Sequence, residues 1–342
     1  MKPGIVLILF LLVGISGCAL QEEPSFHMDS NRVYFSCKGS ADTRNVKYLG
    51  EYRGAENNVS VAEMTRDLAC SEKFKSDLGL IGGYVTIMGG SKFGKPEDEL
   101  KCKDGADCKN KKAEKEQRDK LYRAVQEFSR AWTGNYGDKY PIMTGGGPGL
   151  MEAGSRGAKE YISRSSDTSR RHSIGYTTYY TPFDIKNPRC GKGPRCADPA
   201  LVMQKHDGND IITDGIVFTS VAVRESQMIR HSSAILIGPG GTGTEWEVYQ
   251  ILETIKSAQL RAVPIFLIGS KEKYWETLIS RLKQMKDRGF VSPGDIEYDV
   301  SGCNGFTKSE VPEIKGCGKV NFEFVENPMD VLEKLSNHLK VQ

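Results

Sequence analysis

Apolar residues along the chain fall into two patterns: short unbroken runs, and longer stretches where they recur every three or four positions. The runs predict strands over 84–89, 140–144, 173–180, 215–220, 234–238, 261–268 and 320–325. Between them, Leu121, Val125, Phe128 and Trp132 keep helical spacing and predict a long amphipathic helix from 111 to 133. The same spacing in Trp275, Leu278, Ile279, Leu282 and Met285 predicts another. Further helices are expected over 61–74, 150–161, 221–231, 244–256 and 328–340.

Strands that alternate with helices are joined by crossovers and therefore run parallel. The expected fold class is α/β: a Rossmann-like doubly wound parallel sheet of about seven strands. Three polar excursions at 94–110, 183–213 and 299–319, each holding a cysteine pair, read as surface insertions. The Lys/Glu/Asp-rich stretch 95–120 reads as a solvated part of that surface. The expected domain order is a signal peptide over 1–17, a lipidated tether and N-terminal extension over 18–82, and the Rossmann-like nucleotide-binding domain over 83–342.

Two glycine-rich turns carry the candidate chemistry. Gly145-Gly146-Gly147-Pro148-Gly149-Leu150-Met151 and Pro239-Gly240-Gly241-Thr242-Gly243-Thr244 each follow a predicted strand and lead into a predicted helix. A turn without side chains brings unpaired backbone N–H groups and a positive helix dipole up to an anion. A shorter turn, Gly89-Gly90-Ser91, ends the strand at 84–89. All three fall at the carboxyl edge of the expected sheet, where such folds bind ligands.

Two charged residues flank the second turn. Arg224 falls in the first turn of the helix before strand 234–238, and Glu247 in the first turn of the helix after it. Both helices start at the same sheet edge, so the two side chains can face one pocket. An arginine clamps phosphate, and a carboxylate polarises water or stabilises a developing cation. A surface arginine and a glutamate favoured by the helix dipole are the plain alternative.

The ends of the chain bear on compartment. Lys2 precedes an apolar run from 5 to 15, too short to span a bilayer, and then Ile15-Ser16-Gly17-Cys18. That layout is a secretory signal peptide, and its last four residues resemble a bacterial lipobox; an ordinary signal peptide with a chance cysteine is the alternative. With Cys18 lipidated, the protein is expected to be exported and membrane-anchored, periplasmic or at the cell surface.

Eight further cysteines remain: Cys37, Cys70, Cys102, Cys108, Cys190, Cys196, Cys303 and Cys317. An even count in an exported chain points to disulfides, most simply as local pairs 102/108, 190/196 and 303/317, with 37 to 70. A four-cysteine zinc site from the two C-x5-C pairs is the rival, although that spacing is wide. No metal is expected. The net charge of +3 over 342 residues shows no basic stripe, which argues against a nucleic-acid partner.

Three segments resemble the Lonely Guy family of cytokinin-activating nucleoside 5′-monophosphate phosphoribohydrolases, long labelled lysine decarboxylases. Gly145 to Ala153 matches its G-G-G-x-G-L-M-x-A turn, and Pro239 to Glu247 its P-G-G-x-G-T-x-x-E. Arg224 and Met228 occupy the places of its catalytic Arg and the Met one turn later, and Gly89-Gly90-Ser91 resembles its G-S-S turn. The resemblance implies hydrolysis of an N-glycosidic bond to free base and ribose 5-phosphate, without a cofactor. It implies Arg224 and Glu247 as catalytic residues, with Arg224 holding Glu247 or the phosphate. It implies binding of the 5′-phosphate and nucleotide by Gly90, Ser91, Gly146, Gly147, Gly149, Gly240, Gly241, Thr242, Gly243 and Thr244. Met151 lines the base pocket or belongs to the core. A homodimer is also implied.

Two departures stand out. The family usually has Arg-Lys where this chain has Arg224-Glu225, a reversed charge beside the phosphate site, and the positions before Glu247 hold Glu245 and Trp246. The old decarboxylase label fails on chemistry, because no lysine lies in either motif to form a Schiff base. The alternatives to catalysis are a non-catalytic nucleotide or sugar-phosphate binding lipoprotein, and a partner-binding one that uses its insertions.

Overall fold

The computed structural model describes residues 26–29, 32–35, 37, 45–50, 53, 55–102, 105–166, 171–178, 205–206, 209–292, 294–298 and 317–340. The expectations for the signal peptide, Cys18, Cys190, Cys196 and Cys303 lie outside these residues.

Thirteen strands and seven α-helices are described. A small antiparallel pair, β1 (Phe26–Asp29) and β2 (Arg32–Phe35), comes first. The main sheet is built from β3 (Asn45–Tyr48), β4 (Tyr84–Met88), β5 (Ile142–Thr144), β6 (Ser173–Thr178), β9 (Asp214–Phe218), β10 (Ser232–Ile237), β11 (Ile265–Ile268), β12 (Ile296–Tyr298) and β13 (Val320–Val325). Two-residue strands β7 (Lys205–His206) and β8 (Asn209–Asp210) pair with each other beside it. The helices are α1 (Val61–Asp77), α2 (Ala106–Tyr136), α3 (Leu150–Arg164), α4 (Val221–Arg230), α5 (Thr242–Lys256), α6 (Glu276–Asp287) and α7 (Val331–Lys340).

The main sheet has nine strands in the order β12-β13-β11-β10-β4-β5-β6-β9-β3, every neighbouring pair parallel. From β4 the chain winds through β5 and β6 to β9, then crosses back to β10 and winds the other way through β11 and β13. The direction therefore reverses between β4 and β10, the crevice in which doubly wound sheets hold ligands. All seven predicted strands are present. The two that were not predicted, β3 and β12, are the edges: at four and three residues, they are too short to show alternation.

The central strands are buried on both faces, as parallel strands between two helix layers must be. Along β4, Tyr84 and Met88 join one core with Phe74, Ile235 and Ile251, while Val85 and Ile87 join the other with Leu121, Phe128 and Leu236. α2, α3 and α7 cover the second face. Strand β11 starts only at Ile265, short of the predicted 261, because Pro264 has no N–H to donate.

The charged stretch 95–120 is corrected by the structure. From Ala106 onward it belongs to α2, a helix of 31 residues whose exposed first half carries Lys111–Asp107 and Lys115–Asp119 ion pairs at i,i+4. Of the insertion at 94–110, residues 106–110 thus belong to α2, and the described residues 94–102 and 105 lie outside any helix or strand. Residues 45–77, counted with the N-terminal extension in the sequence, supply β3 and α1 to the main body. No helix among the described residues is long and apolar enough to cross a membrane.

Cys37 bonds to Cys70 and Cys102 to Cys108, so the latter pair is unavailable as zinc ligands. Cys317 is also disulfide-bonded. Closing a longer loop restricts the unfolded chain more. Replacing Cys37 and Cys70 with serine, a loop of 33 residues, should therefore cost about 3–4 kcal/mol in chemical denaturation. Replacing Cys102 and Cys108, six residues apart, should cost about 2 kcal/mol. Equal losses would contradict a loop-closure origin.

Candidate active site

The three glycine turns meet backbone to backbone above the β4–β10 crevice. The Gly90 N–H donates to the Pro239 carbonyl at 2.9 Å, and the Gly238 N–H to the Met88 carbonyl at 2.9 Å. A Cβ on Gly90 would come within 2.9 Å of the Gly240 Cα. Gly149 has φ +75°, and a Cβ there would lie 2.3 Å from the Gly90 carbonyl oxygen. Gly146, at φ +68°, donates its N–H to the Thr144 hydroxyl at 3.1 Å. A side chain is excluded by contact at Gly90, by conformation at Gly146 and by both at Gly149.

The turns open two helix N-termini. α3 and α5 begin at Gly149 and Gly241, and neither helix has a side-chain N-cap bond. Their first amides, which no helical carbonyl can reach, are left for a ligand. Around Gly241 and Gly243 the space is open, with no atom within 4 Å of an added Cβ.

A cavity of about 800 Å³ joins these turns, ample for a small ligand. Gly90, Ser91, Gly147, Met151, Gly240, Gly241, Thr242, Gly243, Thr244, Arg224 and Glu247 all line it. Gly146 and Gly149, expected at the phosphate, are not among the lining residues; at positive φ they set the path of the turn. Sequence reasoning had not singled out Arg118 from α2, Tyr274 beyond β11, or Lys92 and Phe93 after β4, which also line it. Only the tertiary approach of α2 and β11 reveals the first two. Glu245 and Trp246 are exposed and lie outside the lining.

Arg224 is buried and held on several sides. Its Nε donates to the Tyr176 carbonyl at 2.9 Å, and its Nη1 forms an ion pair with Glu225. Its Nη2 lies over Gly145, where a Cβ would collide with it. The helix that presents it is anchored by acids from α1 and the segment before it. Asp67 accepts from the Thr219 and Ser220 N–H groups at 2.8 and 2.9 Å, and Glu56 accepts from the Val221 N–H at 2.9 Å. Burial pushes the Asp67 carboxyl up to about 7, against the pull of those two backbone donors.

Glu247 lies in the second turn of α5, because the helix begins at Thr242 rather than at the predicted 244. It is buried and lines the same cavity as Glu225. Burial raises its pKa to about 8; the Glu225 charge adds to the rise and Arg224 opposes it. A carboxyl of this kind carries its proton at neutral pH. Arg224 thus forms its ion pair with the charge-reversed neighbour, Glu225, and acts on Glu247 only through its field.

Residues 191–305 match the model of a family described as "Possible lysine decarboxylase", a span that holds Arg224, Glu225, the second turn and Glu247. Cytokinin riboside 5′-monophosphate phosphoribohydrolase LOG5 of Arabidopsis thaliana is 28% identical over 125 residues, 36% of this chain and 52% of that protein. LOG3 of the same plant, with the same activity in its name, is 29% identical over 105 residues, 30% of this chain and 47% of that protein. The chain is similar to these phosphoribohydrolases. It spans about half the length of the curated relatives it matches. Among solved structures, a molybdenum cofactor binding protein from Rippkaea orientalis aligns at 15% identity and TM-score 0.35, over 75% of this chain and 98% of that one.

Two predictions follow from the geometry. Gly149→Ala should lose at least about 2 kcal/mol of stability, whereas Gly241→Ala, facing open space, should unfold as the wild type does. For Glu247, the folded state keeps a proton that the unfolded state releases between pH 4.5 and about 8. Stability is therefore lost as pH rises through that window. Glu247→Gln removes this penalty, so its melting temperature should gain on the wild type from about pH 5 to about pH 8. A gap that stays constant across that range would refute it.

Proposed function

We propose that the protein hydrolyses the N-glycosidic bond of a nucleoside 5′-monophosphate, releasing free base and ribose 5-phosphate. The observation that carries this reading is the buried Glu247 carboxyl in the same cavity as the interlocked glycine turns. A 5′-phosphate accepts hydrogen bonds from the first amides of α5 and from Ser91 and Thr244, with the helix dipole favouring its charge. That places the ribose between the cradle and Glu247.

Cleavage leaves positive character on the ribose as the base departs. Glu247 enters as a protonated acid, which suits it to give a proton to the leaving nitrogen. The sequence pattern suggested an ionised Glu247 that stabilises the oxocarbenium directly. Its buried environment favours the acid role. Arg224 is the positive pole beneath the first turn and adds to the field that draws in the phosphate.

The same proposal makes the protein an exported lipoprotein anchored through Cys18 and working as a homodimer. The runner-up, binding of a monophosphate without turnover, is favoured by one observation: Arg224 is already paired with Glu225. The two readings separate in one experiment. The full chain, incubated with a panel of nucleoside monophosphates, should release ribose 5-phosphate, and Glu247→Gln should lower kcat by about 10²–10⁴-fold with the fold intact. Calorimetric binding with no product would leave the binding reading standing, and neither binding nor product would remove both.

A further inference from the structure

Glu225 is the residue that the reading above leaves without a task. It is 4% exposed, at the start of the second turn of α4, and it lines the cavity with Glu247. Its Oε1 meets the Arg224 Nη1, and its Oε2 is buried with no hydrogen-bond donor among the described residues. Glu247, also buried, lines the same cavity, and the Glu225 carboxyl adds to the rise in its pKa. Two buried carboxyls in one cavity resist double ionisation, so the pair retains one proton.

The remaining charged groups around the cavity are Lys92 after β4 and Arg118 on α2, with the Tyr274 hydroxyl beyond β11. Asp67 lies at the start of α4 and bonds to the backbone there. Among the described residues, Arg224 alone forms an ion pair with either carboxyl, and it pairs with Glu225. The pair is therefore asymmetric. Glu225 is placed to be the ionised member and Glu247 the protonated one.

We propose that Glu225 is a second catalytic carboxylate, forming with Glu247 a proton-sharing dyad for glycosidic hydrolysis. This rests on the hydrolase reading. Glu247 gives its proton to the base nitrogen as the bond from that nitrogen to C1′ breaks, the electron pair leaving with the base. Water attacks C1′, forms the new C–O bond, and loses a proton to Glu225. The products are neutral base and ribose 5-phosphate; Glu225 now holds a proton taken from the attacking water and Glu247 is ionised. Proton transfer from Glu225 to Glu247 restores the starting state. The charge reversal at position 225 thus supplies the base half of the reaction.

Two readouts test the dyad. The first needs no substrate: infrared titration of the protonated carboxyl band in the full chain. Asp67, pushed up to about 7, adds a band of its own, so the dyad's band is the component lost in Glu247→Gln; it should be present near neutral pH in the wild type and titrate at least about one pH unit lower in Glu225→Gln. Its absence from the wild type, or no shift in Glu225→Gln, overturns the shared proton. The second is steady-state kinetics with nucleoside monophosphates. Glu225→Gln should lose about 10²–10³-fold in kcat with little change in KM, and the alkaline limb of its pH profile should move. Glu225→Asp keeps the carboxyl and should recover part of the rate, which a merely structural role would not require. An active wild type with an unaffected Glu225→Gln overturns the dyad and spares the hydrolase. An inert wild type overturns the hydrolase and the catalytic half of the dyad, while the titration still decides the shared proton.

Discussion

The structure depends on one contact: backbone against backbone at the carboxyl ends of β4, β5 and β10. Gly90 donates to Pro239, faces the Gly240 Cα, and receives Gly149 against its own carbonyl. Three loops that follow three different strands are thereby drawn to within one peptide thickness of each other. No residue with a Cβ fits at Gly90 or Gly149 without pushing the loops apart. The contact fixes where α3 and α5 begin, and so where their unpaired amides point. It also creates the cavity, because the loops leave the strand direction together.

A second constraint sets the opposite wall. α4 carries both Arg224 and Glu225, and its first turn is held by Asp67 and Glu56, two acids about 150 residues earlier in the chain. Buried acceptors on backbone N–H groups fix an entry angle more firmly than an apolar contact does, since a lost partner leaves an unsatisfied group. The segment that precedes β4 is therefore part of the site's support. Its edge strand β3 closes one side of the sheet, and its helix α1 carries Asp67 to α4.

Much of this was legible along the chain. Strands such as β4 and β10 announce themselves because both faces are buried and the run is apolar throughout. Helices such as the second half of α2 show the spacing of Leu121, Val125, Phe128 and Trp132. The glycine turns and the Arg224–Glu247 pair followed from crossover topology, which brings helix starts to one edge whatever their separation in sequence. Only the first turn and a half of α2, residues 106–110, was hidden, since its largely polar, exposed residues carry no apolar stripe to extend the pattern. Arg118 and Tyr274 were hidden for another reason: neither lies near a motif, and each reaches the cavity from a different element.

The sequence by itself determined the layer order, the seven inner strands and the sheet edge at which the glycine turns gather. Those properties follow from local pattern and from the handedness of crossovers, which hold without knowledge of any particular contact. Only the tertiary structure decided the electrostatics of the site. Glu225 reads along the chain as a charge reversal beside Arg224; in the fold it is the ion-pair partner of Arg224 and the neighbour of Glu247. The physical reason is desolvation. A carboxyl's protonation depends on what surrounds it in three dimensions, and the groups around Glu247 come from two helices separated by an entire strand.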